Sequence, residues 1–418
     1  MPKDDAREKR CVRLLIFLCW AVYTAAYVGR LNYSASINSV INELQTNKSR
    51  AGVVLSFFFF SYGMGQLING LLCHKYNSKR IIFVSLCIAA VLNFTMGFAN
   101  NVVLMCVLWG INGFVQSVFW SSIVRLQNKY VPRKMIAKTI AVMSTTTAAG
   151  TFAAYGLSAL FVVLGRWRGT FFAAAALLAA VAFAWLAGVG KVERTLTSCE
   201  EEPERYVRNE EKHTRTGAYI FTGIAVVAVI NGFVKDGVVS WMPVILSETY
   251  FLEDYFSMLL TLILPLISVV GTIFIQIIHK KVKSYFAILS FLSVVAFCLS
   301  AAIGVCYKKG LVPTITLSAV LMCIMYGVNN ILISALPLEN YSGNASGKAA
   351  GLFNMFCYLG STAATVILGG VAESGSWGQV FFLLAGICAA GILSGGIIYF
   401  IEKKETRKDE TYSRHRGK

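Results

Sequence analysis

Tyr23-Thr24-Ala25-Ala26-Tyr27-Val28-Gly29-Arg30-Leu31-Asn32-Tyr33 is the stretch on which the reading of this chain turns. It lies inside an apolar segment running from about Val12 to Ile41, with at least ten residues between Arg30 and either end. A helix through that segment sets Arg30 near mid-membrane, where a cation costs about 2.5–3.5 kcal/mol on insertion scales. Two readings are open. The side chain could snorkel to the headgroups, or it could face a protein interior or watery cavity and meet an anion there. The depth of Arg30 favours the anion site.

Composition sets the frame for that helix. The chain of 418 residues is 56% hydrophobic, with a mean hydropathy of +0.63, well above an ordinary soluble domain. Apolar runs recur from end to end, each near the ~20 residues that cross ~30 Å of hydrocarbon. Spans of that kind are helical, because hydrocarbon offers the backbone no other partner. The first segment has no small-residue cleavage site and carries Arg30, so it reads as a retained helix rather than a signal peptide. The net charge of +17 is spread over short loops and tails. Membrane topology explains such a pattern, and no nucleic-acid partner is expected. The eleven cysteines lie mostly within apolar segments without C-x-x-C spacing and read as small core residues. The histidines (His74, His213, His279 and His415) fall in loops or tails. Nothing here resembles a zinc or catalytic constellation, so neither metal, cofactor nor enzymatic activity is expected.

The fold class expected is all-α integral membrane, with twelve transmembrane helices in two six-helix pseudo-symmetric halves around a central cavity. The segments are 12–41, 50–73, 80–99, 102–128, 136–164, 168–190, 217–246, 253–279, 284–306, 312–338, 346–372 and 376–402. Residues 1–190 form the N-terminal half, 191–216 a charged cytoplasmic linker, 217–402 the C-terminal half and 403–418 a basic cytoplasmic tail. The linker contains Glu200-Glu201-Glu202-Pro203-Glu204-Arg205. Basic residues follow segment 2 (Lys75, Lys79, Arg80), segment 4 (Lys129, Arg133, Lys134) and segment 8 (Lys280, Lys281, Lys283). The loops around Asn100, Glu253 and Glu373 have no Lys or Arg. Both termini are therefore expected in the cytoplasm, with Lys48, Arg50, Arg166, Arg168, Lys308 and Lys309 as exceptions.

Six segments on either side of a linker suggest two parallel repeats related by an axis along the membrane normal. Segment 7 is then the counterpart of segment 1, and Lys235 lies about as deep in it as Arg30 lies in the first. The two cations are expected to face each other across the axis and share an anion. Asp236 offers the alternative that Lys235 is simply neutralised or holds the halves together. Adjacent helical residues point about 100° apart, so neutralisation by Asp236 is expected to be incomplete.

At this point the chain resembles the major facilitator superfamily. Gly70-Leu71-Leu72-Cys73-His74-Lys75-Tyr76-Asn77-Ser78-Lys79-Arg80 is similar to its signature between helices 2 and 3, with His74 where Asp is usual and Asn77 where Gly is usual. Asn at that place, able to adopt a left-handed backbone, is a habit of the organophosphate:phosphate antiporter branch. Arg30-Leu31-Asn32 after Tyr23 and Tyr27 is similar to that branch's helix 1. Asn112-Gly113-Phe114-Val115-Gln116 with Trp120 and Arg125 looks like its helix 4, and Trp241-Met242-Pro243 like the end of its helix 7. Gly347-Lys348-Ala349-Ala350-Gly351 with Tyr358-Leu359-Gly360 looks like its helix 11.

The resemblance implies that Arg30 and Lys235 hold phosphate and that Tyr23, Tyr27, Gln116, Trp120, Tyr326 and Tyr358 line a cavity open alternately to each side. Ordinary helix packing competes for each aromatic. Gly63, Gly65 and Gly70 read as close-packing sites. The branch usually has Arg at Lys235, Lys at Gln66 and often His near Thr147, so this cavity is less cationic than its norm. An Asp-and-Lys pattern of hexose-phosphate members is missing, since Gly360 is followed by Ser361, Thr362, Ala363, Ala364 and Thr365.

The function this implies is a monomeric carrier in the cytoplasmic (inner) membrane, exchanging an organic phosphate or related organic anion for inorganic phosphate. Two rivals stand beside it. One is a proton-coupled organic anion symporter with Asp236 as the candidate coupling group; the other is a transporter-like sugar-phosphate receptor.

Overall fold

The computed structural model describes residues 2–72, 76–196, 218–282, 284–337 and 344–416. Its regular structure is helical throughout. Eleven helices among those residues are long and apolar enough to cross a membrane. The expected eighth segment is there as two helices in succession. His74 and most of the expected linker lie outside the described residues.

The first segment is α1 (Pro2–Ala35) followed by a short α2 (Ile37–Glu43). It starts earlier than expected and breaks at Ser36, whose N–H is shared between the Asn32 and Tyr33 carbonyls. Then come α3 (Lys48–Leu72) and α4 (Ser78–Met96). The expected helix 102–128 is split at Ser117 into α5 (Val102–Gln116) and α6 (Val118–Tyr130). After α7 (Arg133–Val163), α8 (Gly169–Leu196) and α9 (Ala218–Tyr250) comes a second split, α10 (Asp254–Thr261) and α11 (Ile263–Lys281). Pro265 explains it: it has no N–H to give the Thr261 carbonyl four residues earlier. The chain continues with α12 (Tyr285–Cys306) and α13 (Leu311–Asn330), which passes into a π-helical turn at Ile331–Ala335. It ends with α14 (Asn344–Ser374) and α15 (Trp377–Arg416).

Asn77 does not take the left-handed backbone anticipated for it. At φ −78° and ψ 108° it is extended and caps α4, accepting from the Lys79 and Arg80 N–H groups. An asparagine can fill that place because its side chain satisfies two orphan donors at a helix start. Gly70 is not a close-packing site either, since a Cβ there would meet open space. Gly65 does pack closely, with Ser117 of α5–α6 against it.

The chain packs as two compact units, Met1–Glu210 with Ser240–Pro265 and Glu211–Val239 with Leu266–Lys418. The dividing line therefore falls inside α9 rather than only at the charged linker. In the first unit α1 packs on α7, α3 on α5 and α4 on α8. Its main core runs through Leu15, Val22, Leu86, Phe119, Leu178 and Trp185. Polar contacts attach the end of α9 and the start of α10 to this unit. Asn38 donates to Ser247 and to Asp254 (2.8 Å), and Lys48 pairs with Glu248 at 3.0 Å.

In the second unit the same three pairings recur in the same order. α9 meets α14 where a Cβ on Gly232 would run into the Cys357 carbonyl, and one on Gly360 into the Val229 carbonyl. α11 meets α13 through Gly271 and Gly327, and α12 packs on α15. First with fifth, second with fourth and third with sixth is the order in both units. The recurrence is what two copies of one six-helix pattern would produce.

Candidate functional site

In the first unit, helix contacts fix the turn of α1 that carries Arg30. A Cβ on Gly150 of α7 would run into Tyr27 and the Thr24 carbonyl, so α1 and α7 touch nearly backbone to backbone there. On the other side of that turn the Gly29 carbonyl accepts from three buried amides: Asn93 (3.1 Å), Asn112 (3.0 Å) and Gln116 (3.2 Å). Asn32 donates to Asn93 Oδ1 at 2.9 Å and accepts from the Tyr33 N–H. A carbonyl with more donors than lone pairs, tied into a chain of side-chain amides, holds this turn against rotation.

Arg30 itself is buried among aromatic rings. Its Cζ lies 3.6 Å from the Tyr27 ring centroid, 5.6 Å from Tyr62 and 5.8 Å from Tyr23. Tyr23 meets Tyr27 edge to face at 5.3 Å and leans on Trp120 at 5.0 Å. Ring faces attract a desolvated guanidinium by about 2 kcal/mol, which offsets part of the burial cost without removing the positive charge. Tyr23 and Tyr27 thus lie against Arg30, and Trp120 lies against Tyr23. Gln116 is committed to the Gly29 backbone and to Asn112 Oδ1 (3.0 Å), so it braces the turn that carries the guanidinium. Gln66 is buried and donates to the Ser117 carbonyl at 3.2 Å.

In the second unit Lys235 is equally buried. Its Nζ lies 3.1 Å from Asp236 Oδ1 and 5.3 Å from the Tyr326 ring. The alternative that Asp236 partners Lys235 directly is the one found here. A lysine stem has four flexible carbons, enough to bend the ammonium back to its neighbour's carboxylate. Asp236 Oδ2 accepts from Ser361 of α14. Asn231 donates to Asn329 Oδ1 at 3.1 Å, tying α9 to α13 one turn before the lysine. Tyr358 is half-buried on α14, next to Cys357 and the Gly232 crossing.

The two cations share a place in their units. Arg30 stands three residues after Tyr27, where α1 is pressed on α7; Lys235 stands three residues after Gly232, where α9 is pressed on α14. Tyr62 and Ser361 are additions that the sequence did not single out. The Tyr62 ring lies by Arg30 of α1 and the Ser361 hydroxyl reaches Asp236 of α9, so each partner lies on another helix.

The sequence profile of the Major Facilitator Superfamily matches residues 19–365. The chain belongs to that superfamily. Its relatives in the superfamily include a glycerol-3-phosphate transporter of Bacillus subtilis, 26% identical over 94% of this chain and 93% of its own. A probable hexose phosphate transport protein of Chlamydia pneumoniae is 22% identical over 90% of this chain and 89% of its own. A membrane sensor protein of Escherichia coli matches a shorter stretch, 24% identical over 28% of this chain and 26% of its own. Among solved superfamily structures, the nucleoside transporter NupG superposes with a TM-score of 0.68 at 14% identity, covering 93% of this chain and 99% of that one. That likeness bears on the fold. Membership makes this a multi-pass membrane transporter rather than an enzyme.

Proposed function

We propose that the protein exchanges an organic phosphate for inorganic phosphate across the cytoplasmic membrane by alternating access, as a monomer with both termini in the cytoplasm. The observation that carries this reading is the matched placement of Arg30 and Lys235, each three residues past the tight crossing of the first and fifth helices of its unit. Cations at equivalent places in two repeats suit one doubly charged ligand. The long-coverage relatives named for glycerol 3-phosphate and hexose phosphate support an organic phosphate as that ligand.

In this reading the anion neutralises both cations and lets the carrier pass through its closed state. Asp236 offsets Lys235 in the empty site, so closing it without an anion buries the net positive charge of Arg30, which costs several kcal/mol. Exchange is then easier than return of the empty carrier. Arg30 offers a planar fork to two phosphate oxygens, and Lys235 a compact charge to a third. The tyrosines and Trp120 would shape the space around the organic moiety.

The sensor relative lends some weight to a receptor that keeps the fold without flux. One experiment separates the two and names the substrate class. Purified protein is reconstituted into liposomes loaded with inorganic phosphate, and counterflow is followed against a panel of phosphorylated and carboxylated solutes. Exchange that prefers phosphorylated solutes supports the proposal. No flux with any solute would move the assignment to a receptor, and a preference for carboxylates would move it to another organic anion.

A further inference from the structure

We infer that the groove between the end of α2 and the α7–α8 turn binds an anionic phospholipid, with Arg166 on its phosphodiester and Phe161, Phe172 and Ala173 along its acyl chain. The groove lies within the first unit and involves neither Arg30 nor Lys235.

The spans Lys138–Val163 and Gly169–Leu196 meet at this turn. Its residues therefore stand where hydrocarbon gives way to headgroups. Backbone bonds close the turn: the Arg166 N–H donates to the Phe161 carbonyl at 2.8 Å, and the Arg166 carbonyl accepts from Gly169 at 2.7 Å. Gly165 takes φ +67°, which glycine adopts without strain. Beside the turn lies an open-sided cavity of about 590 Å³, within the usual size of a small-molecule site.

The charged groups on the floor of the groove are spent on one another. Arg168 donates to Glu43 and to the Gly97 and Ala99 carbonyls, and Trp167 donates to the other Glu43 oxygen. Arg168 and Glu43 cancel. Arg166 is exposed, and its guanidinium has no partner among the described residues. The lining is left with one net positive charge. Arg166 is also one of the basic residues that break the charge asymmetry of the loops, and nothing else in the first unit gives it a task.

The walls are apolar and lead along the helices. A Cβ on Gly169 would run into the Phe161 ring, so that ring is seated against the start of α8. Phe172 meets Phe94 and Phe98 at 5.5 and 5.0 Å, and both of those rings are more than half exposed. Ala173 heads a stripe of α8 whose next members at helical spacing, Ala176, Ala180 and Phe183, are exposed. On α7 Leu160, Val163 and Leu164 are exposed as well. An apolar stripe on a spanning helix, uncovered by the rest of the described chain, suits lipid tails. A soluble phosphate would lose hydration against such a wall and gain a single cation. Any lipid could fill the apolar part, so the headgroup decides. A phosphodiester carries the one negative charge that Arg166 matches, and a guanidinium can hold two of its oxygens.

The test uses full-length protein in phosphatidylcholine liposomes containing a trace of photoreactive lipid, with a diazirine near the headgroup end of one acyl chain. After irradiation the labelled peptides are mapped. Phosphatidylglycerol should label the segment Phe161–Ala173 at least about fivefold more than phosphatidylcholine with the same chains, equivalent to about 1 kcal/mol for one arginine at the membrane surface. Arg166→Ala should remove that preference while labelling of other peptides stays unchanged, and Arg166→Lys should keep part of it. Ala173→Trp fills the groove with the charge intact and should also lower phosphatidylglycerol labelling of the segment. Melting temperatures in detergent report whether each variant is folded.

Equal labelling by the two lipids in the wild type would overturn the inference. So would an undiminished preference in Arg166→Ala, or a loss spread over all labelled peptides. Abolition of the wild-type signal by excess inorganic phosphate would assign the groove to a soluble anion and overturn the lipid assignment. Should Arg166→Ala fail to fold, Ala173→Trp decides, and undiminished labelling there counts against the proposal.

Discussion

Arg30 and Lys235 occupy equivalent places but keep different company: Arg30 is ringed by tyrosines, whereas Lys235 leans on a carboxylate. Arg30→Lys keeps the charge while losing both the two-pronged donor geometry and the stacking on Tyr27. Phosphate exchange should fall close to background with membrane insertion normal; near-wild-type flux would remove Arg30 from recognition. Lys235→Arg should be tolerated or should lower the half-saturating phosphate concentration, because the fork adds a second donor. Lys235→Ala should abolish exchange, leaving one cation to hold a dianion. These two residues were legible in the sequence because an ionised side chain deep in an apolar helix has few bland explanations. Tyr62 and Ser361 were not legible. A serine hydroxyl in a membrane helix usually bonds its own backbone, and nothing local says that Ser361 reaches Asp236 or that the Tyr62 ring faces Arg30.

Helix ends show the same divide between local and non-local causes. The break at Leu262 could have been read from Pro265, whose missing N–H is a local fact. The break at Ser117 could not. It is supported by α3, where Gly65 leaves room for Ser117, Asn69 donates to its Oγ at 2.8 Å and Gln66 to its carbonyl. Glycines sort in the same way. Gly232 lies against the Cys357 backbone while Gly70 faces open space, and no neighbouring residue in the chain marks the difference. Gly232→Ala should force α9 and α14 apart, costing about 1–3 kcal/mol and displacing the turn that carries Lys235. Gly70→Ala should be neutral or stabilising by up to about 1 kcal/mol. Melting temperatures in detergent, read beside exchange rates, distinguish the two. Equal effects would show that the α9–α14 crossing is not tight. At the end of α2, Glu43 binds Trp167 and pairs with Arg168 at 2.9 Å. Burial alone would raise the Glu43 carboxyl, but the hydrogen bonds from Trp167 and Arg168 and the Arg168 charge hold it below its usual value. Because the folded state favours the ionised form, this contact stabilises above the ordinary carboxylate range and is lost as pH falls through the lowered value. Glu43→Gln should therefore reduce the melting temperature slightly at pH 7, within the ~1 kcal/mol expected of a half-exposed pair. The difference from wild type should shrink as the pH is taken below the ordinary carboxylate range. A difference that persists there would mean that Glu43 acts by packing alone.

The recurrence of three helix pairings in two units explains why a twelve-segment reading of hydropathy reached the right fold class, even where individual boundaries slipped. Several basic residues that broke the charge asymmetry also find structural employment. Lys48 pairs with Glu248, Arg168 binds Glu43 and the Gly97 and Ala99 carbonyls, and Lys308 lies 5.7 Å from the Tyr307 ring. Cations used in this way carry little topological information, so the proposal of cytoplasmic termini rests on the remaining loop charges. For the transporter as a whole, exchange and proton symport differ in what an empty carrier can do. Under exchange, the charge of Arg30 that Asp236 does not offset must be met by an anion before the protein can return, so flux depends on solute inside the vesicle and not on a pH gradient. The direct measurement is uptake of labelled organic phosphate into two sets of liposomes. One set is loaded with inorganic phosphate at equal pH on both sides; the other has no internal counter-substrate and an inward proton gradient. We predict robust uptake in the first set and almost none in the second, with Asp236→Asn keeping part of the exchange. Accumulation in the second set that disappears in Asp236→Asn would contradict exchange and make Asp236 the proton carrier of a symporter.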